Sequence, residues 1–150
     1  MNIDSWQDNL ADFISSALTQ FRSSADEEME RFAVDCHPWN GLIVLAFLTR
    51  AELKEAPSLL DPAEIAGWKY YDFGAGLPIS PAAAGIGSKM RSAYENTSDG
   101  KANVARLFLQ RCAAAVASKP VQDALATFTL ADGFRITITH PDTDEEFYLR

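Results

Sequence analysis

The sequence predicts an α+β fold, in which an antiparallel sheet of about four or five strands, built from two hairpins, is covered by amphipathic helices. Three observations predict it. A helical stripe of apolar residues opens the chain, two strand-like runs follow around an Asn-Gly turn, and an alternating run returns after position 133. The strands come as hairpins and do not alternate with helices, which separates α+β from the parallel α/β class. With 150 residues the chain fits one domain, 1–150. A domain of that length buries roughly 70% of its unfolded surface, enough to stand without a disulfide or a structural metal.

The opening helix is marked by Trp6, Leu10, Phe13, Ile14, Ala17, Leu18 and Phe21, which share one helical face. Asp4 followed by Gln7 reads as a capping box at its start. Ser23, Ser24 and Asp26 break the stripe. In 31–37, Phe32, Val34 and Cys36 alternate with Ala33, Asp35 and His37, the period of a half-buried strand. The run 42–48 is continuously apolar, as in a central strand covered on both faces. Asn40-Gly41 between them tolerates positive φ, so the pair reads as a hairpin.

A short helix is expected over 51–55, and Asp61-Pro62-Ala63-Glu64 is a helix start that Gly67 ends quickly. Trp68, Tyr70, Tyr71 and Phe73 form an aromatic segment, either a short strand or an extended crossing. Helical patterns follow over 80–96, weakened by Gly85 and Gly87, and over 101–119, with Val104, Leu107, Phe108, Cys112, Ala115 and Val116 as the apolar face. After the interruption at Pro120, 121–128 continues as a further helix. Phe134, Ile136, Ile138 and His140 then alternate with Arg135, Thr137 and Thr139, and 147–149 is expected to pair back as a second hairpin.

Thirteen Lys and Arg against twenty-one Asp and Glu leave a formal net charge of −8. Such a surface repels a nucleic-acid backbone and attracts basic partners, or simply keeps the chain in solution. Asp4 and Asp8 stand where a signal peptide would be basic and then apolar, and 42–48 is too short to cross a bilayer. A cytoplasmic protein with no membrane partner is expected.

The two cysteines and two histidines lack metal-ligand spacing, so neither a metal nor another cofactor is expected. Asp142, Asp144 and Glu146 lack the central glycine of a calcium loop, and Gly85-Ile86-Gly87-Ser88-Lys89 lacks the spacing of a phosphate cradle. Cys36 with His37 or His140 is the one nucleophile–base combination available, but neighbours on a strand point to opposite faces. Trp39, Trp68, Tyr70 and Tyr71, with Asp35 and Asp72 nearby, are the candidate partner-binding residues, because aromatic side chains bury large areas at low entropy cost. The same aromatics would also serve as satellites capping the sheet edge.

In its order of elements, from the leading helix through the 32–48 hairpin, the Trp68-Lys69-Tyr70 segment, the helices and the final strands, the chain resembles small bacterial immunity-type proteins of polymorphic-toxin systems. That resemblance implies an acidic binding protein that blocks a partner toxin, often a nuclease. The sequence reading is therefore a non-enzymatic protein-binding module, plausible as an immunity-like inhibitor of a basic partner. The alternatives are a small hydrolase or transferase using Cys36 with a histidine, and a homodimeric ligand-binding or scaffold domain.

Overall fold

The computed structural model describes residues 1–149, and Arg150 lies outside them. Helix α1 (Ile3–Phe21) leads into strand β1 (Met29–His37) and strand β2 (Leu42–Thr49). Helix α2 (Arg50–Glu55) and two 3₁₀ turns, Pro57–Leu60 and Pro62–Gly67, precede strand β3 (Tyr70–Tyr71). Helices α3 (Pro81–Ala84), α4 (Ile86–Glu95), α5 (Lys101–Val116) and α6 (Lys119–Leu125) then lead to strand β4 (Leu130–Thr137). The sheet order is β3-β2-β1-β4. The α+β class and the four strands match the sequence reading.

One face of the sheet carries the main core. Phe32, Val34, Cys36, Leu45 and Phe47 point into a layer made by Trp6, Leu10, Ile14 and Leu18 of α1, Phe108, Leu109 and Cys112 of α5, and Val121 and Leu125 of α6. Burying each large apolar side chain of this set stabilises the fold by about 1.5–3 kcal/mol. Phe21 stacks at 4.5 Å on Phe73, and Phe47 lies 4.8 Å from Phe128, so the aromatics join the end of α1 to the sheet. The other face holds a smaller cluster of Ala33, Ala46, Leu48 and Trp68, flanked by Leu53, Leu59 and Ile65. Trp68 donates its indole N–H to the Leu59 carbonyl at 2.9 Å, which pins the 3₁₀ turns over the β2 half of this face. The β1–β4 half stays uncovered by helices.

The expected β1–β2 hairpin forms, pairing His37 with Leu42 and Phe32 with Phe47, with Gly41 at φ +65° closing it. Thr49 and Glu52 cap α2 reciprocally. Three local expectations are corrected. Asn2, not Asp4 with Gln7, caps α1: its Oδ1 accepts from the Asp4 and Ser5 amides, and Gln7 instead accepts from Arg111. On α5 the buried face is Ala105, Phe108, Leu109, Cys112, Ala115 and Val116, while Leu107 is exposed, because the helix packs against both α1 and β1. The expected second hairpin is reduced to one antiparallel bridge between Thr139 and Glu146. Backbone bonds from Phe147 N–H to the Ile138 carbonyl and from His140 N–H to the Glu145 carbonyl, at 2.9 and 2.7 Å, flank that bridge, while the Glu146 carboxylate accepts from the Ile138 and Tyr148 amides at 2.7 and 2.9 Å. β4 pairs instead with β1, and in parallel: Arg31 lies beside Arg135 and Ala33 beside Thr137.

Candidate functional site

The uncovered half of the sheet is the floor of a cleft of about 470 Å³. Strand alternation puts Arg31, Ala33, Asp35 and His37 of β1 on this face, with Thr137 at the end of β4 beside them. Leu60, Pro62, Ala63, Ile65 and Trp68 make an apolar wall. The turn after β4 makes the other wall, with Thr139, His140, Asp144 and Glu146.

Asp35 is the centre of the polar arrangement. Its side chain is 12% exposed. Oδ1 accepts from His37 Nε2 at 2.9 Å, and Oδ2 accepts from the Tyr71 hydroxyl, which reaches across β2, also at 2.9 Å. Burial alone would raise the Asp35 pKa, but the hydrogen bond and charge of His37, with the Tyr71 hydroxyl, hold it below its ordinary 3.8. The Asp35 hydrogen bond raises His37 above 6.5 against the opposing effect of burial, and the charges of Asp35 and Asp142 add to the rise. Burial, and then the bond to Asp35, push Tyr71 up to about 12.

His140, only 8% exposed, faces the cleft from the opposite wall. Its Nδ1 accepts from the Asp142 and Thr143 amides at 3.0 and 3.3 Å, so the ring proton sits on Nε2. Trp39 joins the two histidines, its ring lying 5.7 Å from His37 and 5.9 Å from His140. The Arg31 guanidinium donates to the Glu30 and Gly133 carbonyls and is turned toward the Glu30 end of the strand.

Of the six residues expected to bind a partner, the structure gathers four here. Asp35 and Trp68 line the cleft, Tyr71 holds Asp35, and Trp39 stands beside both imidazoles. Trp68 contributes as a buried wall, not as a projecting anchor. Tyr70 lies on the helix-covered face, where its hydroxyl and Lys69 both bond to Glu27. Asp72 turns outward at φ +60° past the end of β3. Sequence reasoning weighed His37 and His140 only as partners of a cysteine. The signal for their true setting was an aspartate two residues before a histidine in an alternating strand, a spacing that puts both on one face.

Both thiols lie on the other side of the sheet. Cys36 and Cys112 are fully buried and free, and Cys36 Sγ is 3.6 Å from Met90 Sδ. The hydrogen bond with Cys112, and then burial, push the Cys36 thiol well up. Among the described residues no imidazole hydrogen-bonds to either thiol, and no group of three or more His, Cys, Asp or Glu is placed to hold a metal ion. No described helix is long and apolar enough to cross a membrane. No family model matches the chain, and no curated protein or solved structure matches it either.

Proposed function

We propose that the chain is a non-enzymatic protein-binding module, immunity-like in kind, that receives a segment of a basic partner in the cleft between β1, the 3₁₀ turns and the turn after β4. One observation carries this reading. The cleft has an apolar wall, on which Leu60 is 46% exposed, and its lining carries the carboxylates of Asp35, Asp144 and Glu146 against the guanidinium of Arg31 and the His37 imidazole that pairs with Asp35. An apolar surface left in water beside fixed carboxylates suits a partner that brings both apolar and cationic groups. The net charge of −8 adds long-range attraction, which speeds the encounter of such partners by ~10–1,000-fold at low salt. Chemistry through Cys36 has less support, because the thiol is buried in the helix-packed core with a raised pKa.

The test is a photo-crosslinking amino acid at Leu60, with a control at exposed Ser88 on α4, in cells that make the protein. The expected result is an adduct with one basic protein from the Leu60 position alone. Its association rate with the purified chain should fall steeply as salt rises. Equal crosslinking from both positions, or a rate indifferent to salt, would refute the proposal.

A further inference from the structure

We infer that the turn after β4 is a pH-sensitive wall of the cleft: the charged imidazole of His37 draws the tip of the turn, residues 141–144, toward the end of β1, and loss of that charge lets the tip swing outward. The device belongs to the free chain, so it stands or falls separately from the protein-binding reading above.

The geometry gives His37 one fixed neighbour and one movable one. On the sheet, Asp35 Oδ1 bonds to His37 Nε2 at 2.9 Å while the Tyr71 hydroxyl donates to the other Asp35 oxygen, so the imidazole is tethered to β1. From the turn, the negative charge of Asp142 reaches the same imidazole. Trp39 spans the gap, 5.7 Å from the His37 ring and 5.9 Å from His140. His140 Nδ1 accepts from the Asp142 and Thr143 amides, and the His140 carbonyl accepts from the Asp144 amide at 3.0 Å, so the tip hangs from the ring beside Trp39. The root of the turn is fixed: Ile138 is fully buried, Glu146 accepts from the Ile138 and Tyr148 amides, and Arg106 of α5 pairs with Glu145. Beyond that root Asp142, Thr143 and Asp144 are exposed, and Asp144 takes a left-handed φ of +61°, so a few local bonds decide where the tip sits.

The charges around His37 set the direction of the response. Asp35 stands on its own strand, and Arg31, further along, is turned to the Glu30 and Gly133 carbonyls. From β3 comes Tyr71, which stays neutral with its pKa pushed up to about 12. The turn brings Asp142, and it lines the cleft with His140, Asp144 and Glu146. Behind Trp39, Arg91 of α4 is paired with Glu95, and Lys101 lies over the Tyr94 ring. The wall at 60–68 adds no charged group to the lining. The balance favours a positive His37: the Asp35 hydrogen bond raises its pKa above 6.5 against burial, and the charges of Asp35 and Asp142 add to the rise. A closed tip therefore holds the His37 proton more tightly than an open one does. By linkage, closure is favoured below the His37 pKa and lost as pH rises through it.

The experiment follows backbone, indole and imidazole signals of the full chain by NMR from about pH 5.5 to 8.5, with amide solvent exchange corrected for the intrinsic effect of pH. The Trp39 indole and the 140–144 amides should titrate together with the His37 ring, at a midpoint above 6.5. Exchange at the Asp142 and Asp144 amides should quicken about two- to fivefold across that midpoint, the reach of one exposed charge pair. The Ile138 and Phe147 amides should keep their protection. His37→Gln stays neutral yet can still donate to Asp35, and it should exchange at the faster level at every pH. Asp142→Asn, at an exposed position, removes the charge and keeps the amide on His140; it should lower the His37 midpoint and flatten the exchange profile. A response that persists in His37→Gln would overturn the inference, as would a His37 titration that leaves 140–144 unmoved. Should His37→Gln fail to fold, Asp142→Asn decides alone, and a profile identical to the parent's refutes the device.

Discussion

Replacing Gly87 by alanine sets two magnitudes against each other at one atom. Gly87 lies in the first turn of α4, where its backbone meets the β1–β2 turn, and a Cβ there would overlap the Gly41 carbonyl oxygen. A glycine inside a helix costs about 1 kcal/mol relative to alanine, so propensity alone makes Gly87→Ala stabilising. Forcing an extra carbon into a packed contact costs about 1–3 kcal/mol. Here both sides of the contact are backbone, and neither can rotate away, which selects the upper part of that range. Nor can α4 drift off freely, since Trp6 donates to the Ile86 carbonyl at 3.0 Å and Trp39 packs on Tyr94. The net expectation is a loss of about 1–2 kcal/mol. For a chain of this size that lowers Tm by about 2–8 °C. Gly85→Ala is the control: its Cβ would meet the flexible Lys89 side chain at 3.6 Å and the Ala82 carbonyl at 3.9 Å, both ordinary contacts, and it should be neutral or stabilising. Urea melts of both variants by circular dichroism give the comparison. A Gly87→Ala protein at least as stable as the parent would refute the close backbone crossing.

Leu45→Asp should prevent folding, because Leu45 is 1% exposed in β2 and the carboxylate would have no partner there; a cooperative melt like the parent's would remove that strand from the core. The Asp35–His37 pair should stabilise the fold within a bounded pH window. His37, raised above 6.5, contributes fully below that value and loses its contribution as pH rises through its folded pKa; Asp35, lowered below 3.8, contributes above that value and loses it as pH falls. The stability difference between parent and Asp35→Asn should therefore be largest around pH 5–6 and shrink toward pH 8, and a flat profile in denaturant melts would refute the coupling. Cys36 and Cys112 should react with a neutral-pH thiol probe only at the rate of unfolding, and a rapid burst from the native protein would show a thiol more accessible than its burial allows.

The parts of the fold that were legible are those set by local pattern. The stripe of Trp6, Leu10, Ile14, Ala17 and Leu18 became the buried face of α1, although Phe13 on the same stripe is only half-buried. The continuous run of β2 and the left-handed Gly41 follow directly from composition and turn chemistry. Parallel pairing of β4 with β1 was not legible, because it is decided by where the intervening helices α2 to α6 deliver the chain and not by alternation within either strand. The site divides in the same way. Asp35, Trp39, Trp68 and Tyr71 were picked out by residue type, but their meeting depends on a hydroxyl reaching over β2 and on a turn folded back by Glu146. Gly87, read with Gly85 as weakening a helix, is what lets α4 approach Gly41.

Because β4 lies beside β1, the floor and one wall of the cleft come from stretches separated by about a hundred residues, a long loop to close before either is rewarded. The helix layer can condense around α1 and the hairpin first, leaving the pocket among the last features to assemble and the first to come apart. A guest seated there would bridge early and late segments and act as a staple. At a hundredfold excess over its dissociation constant it would add about 2.7 kcal/mol to global stability. Occupancy would then be readable as resistance to unfolding.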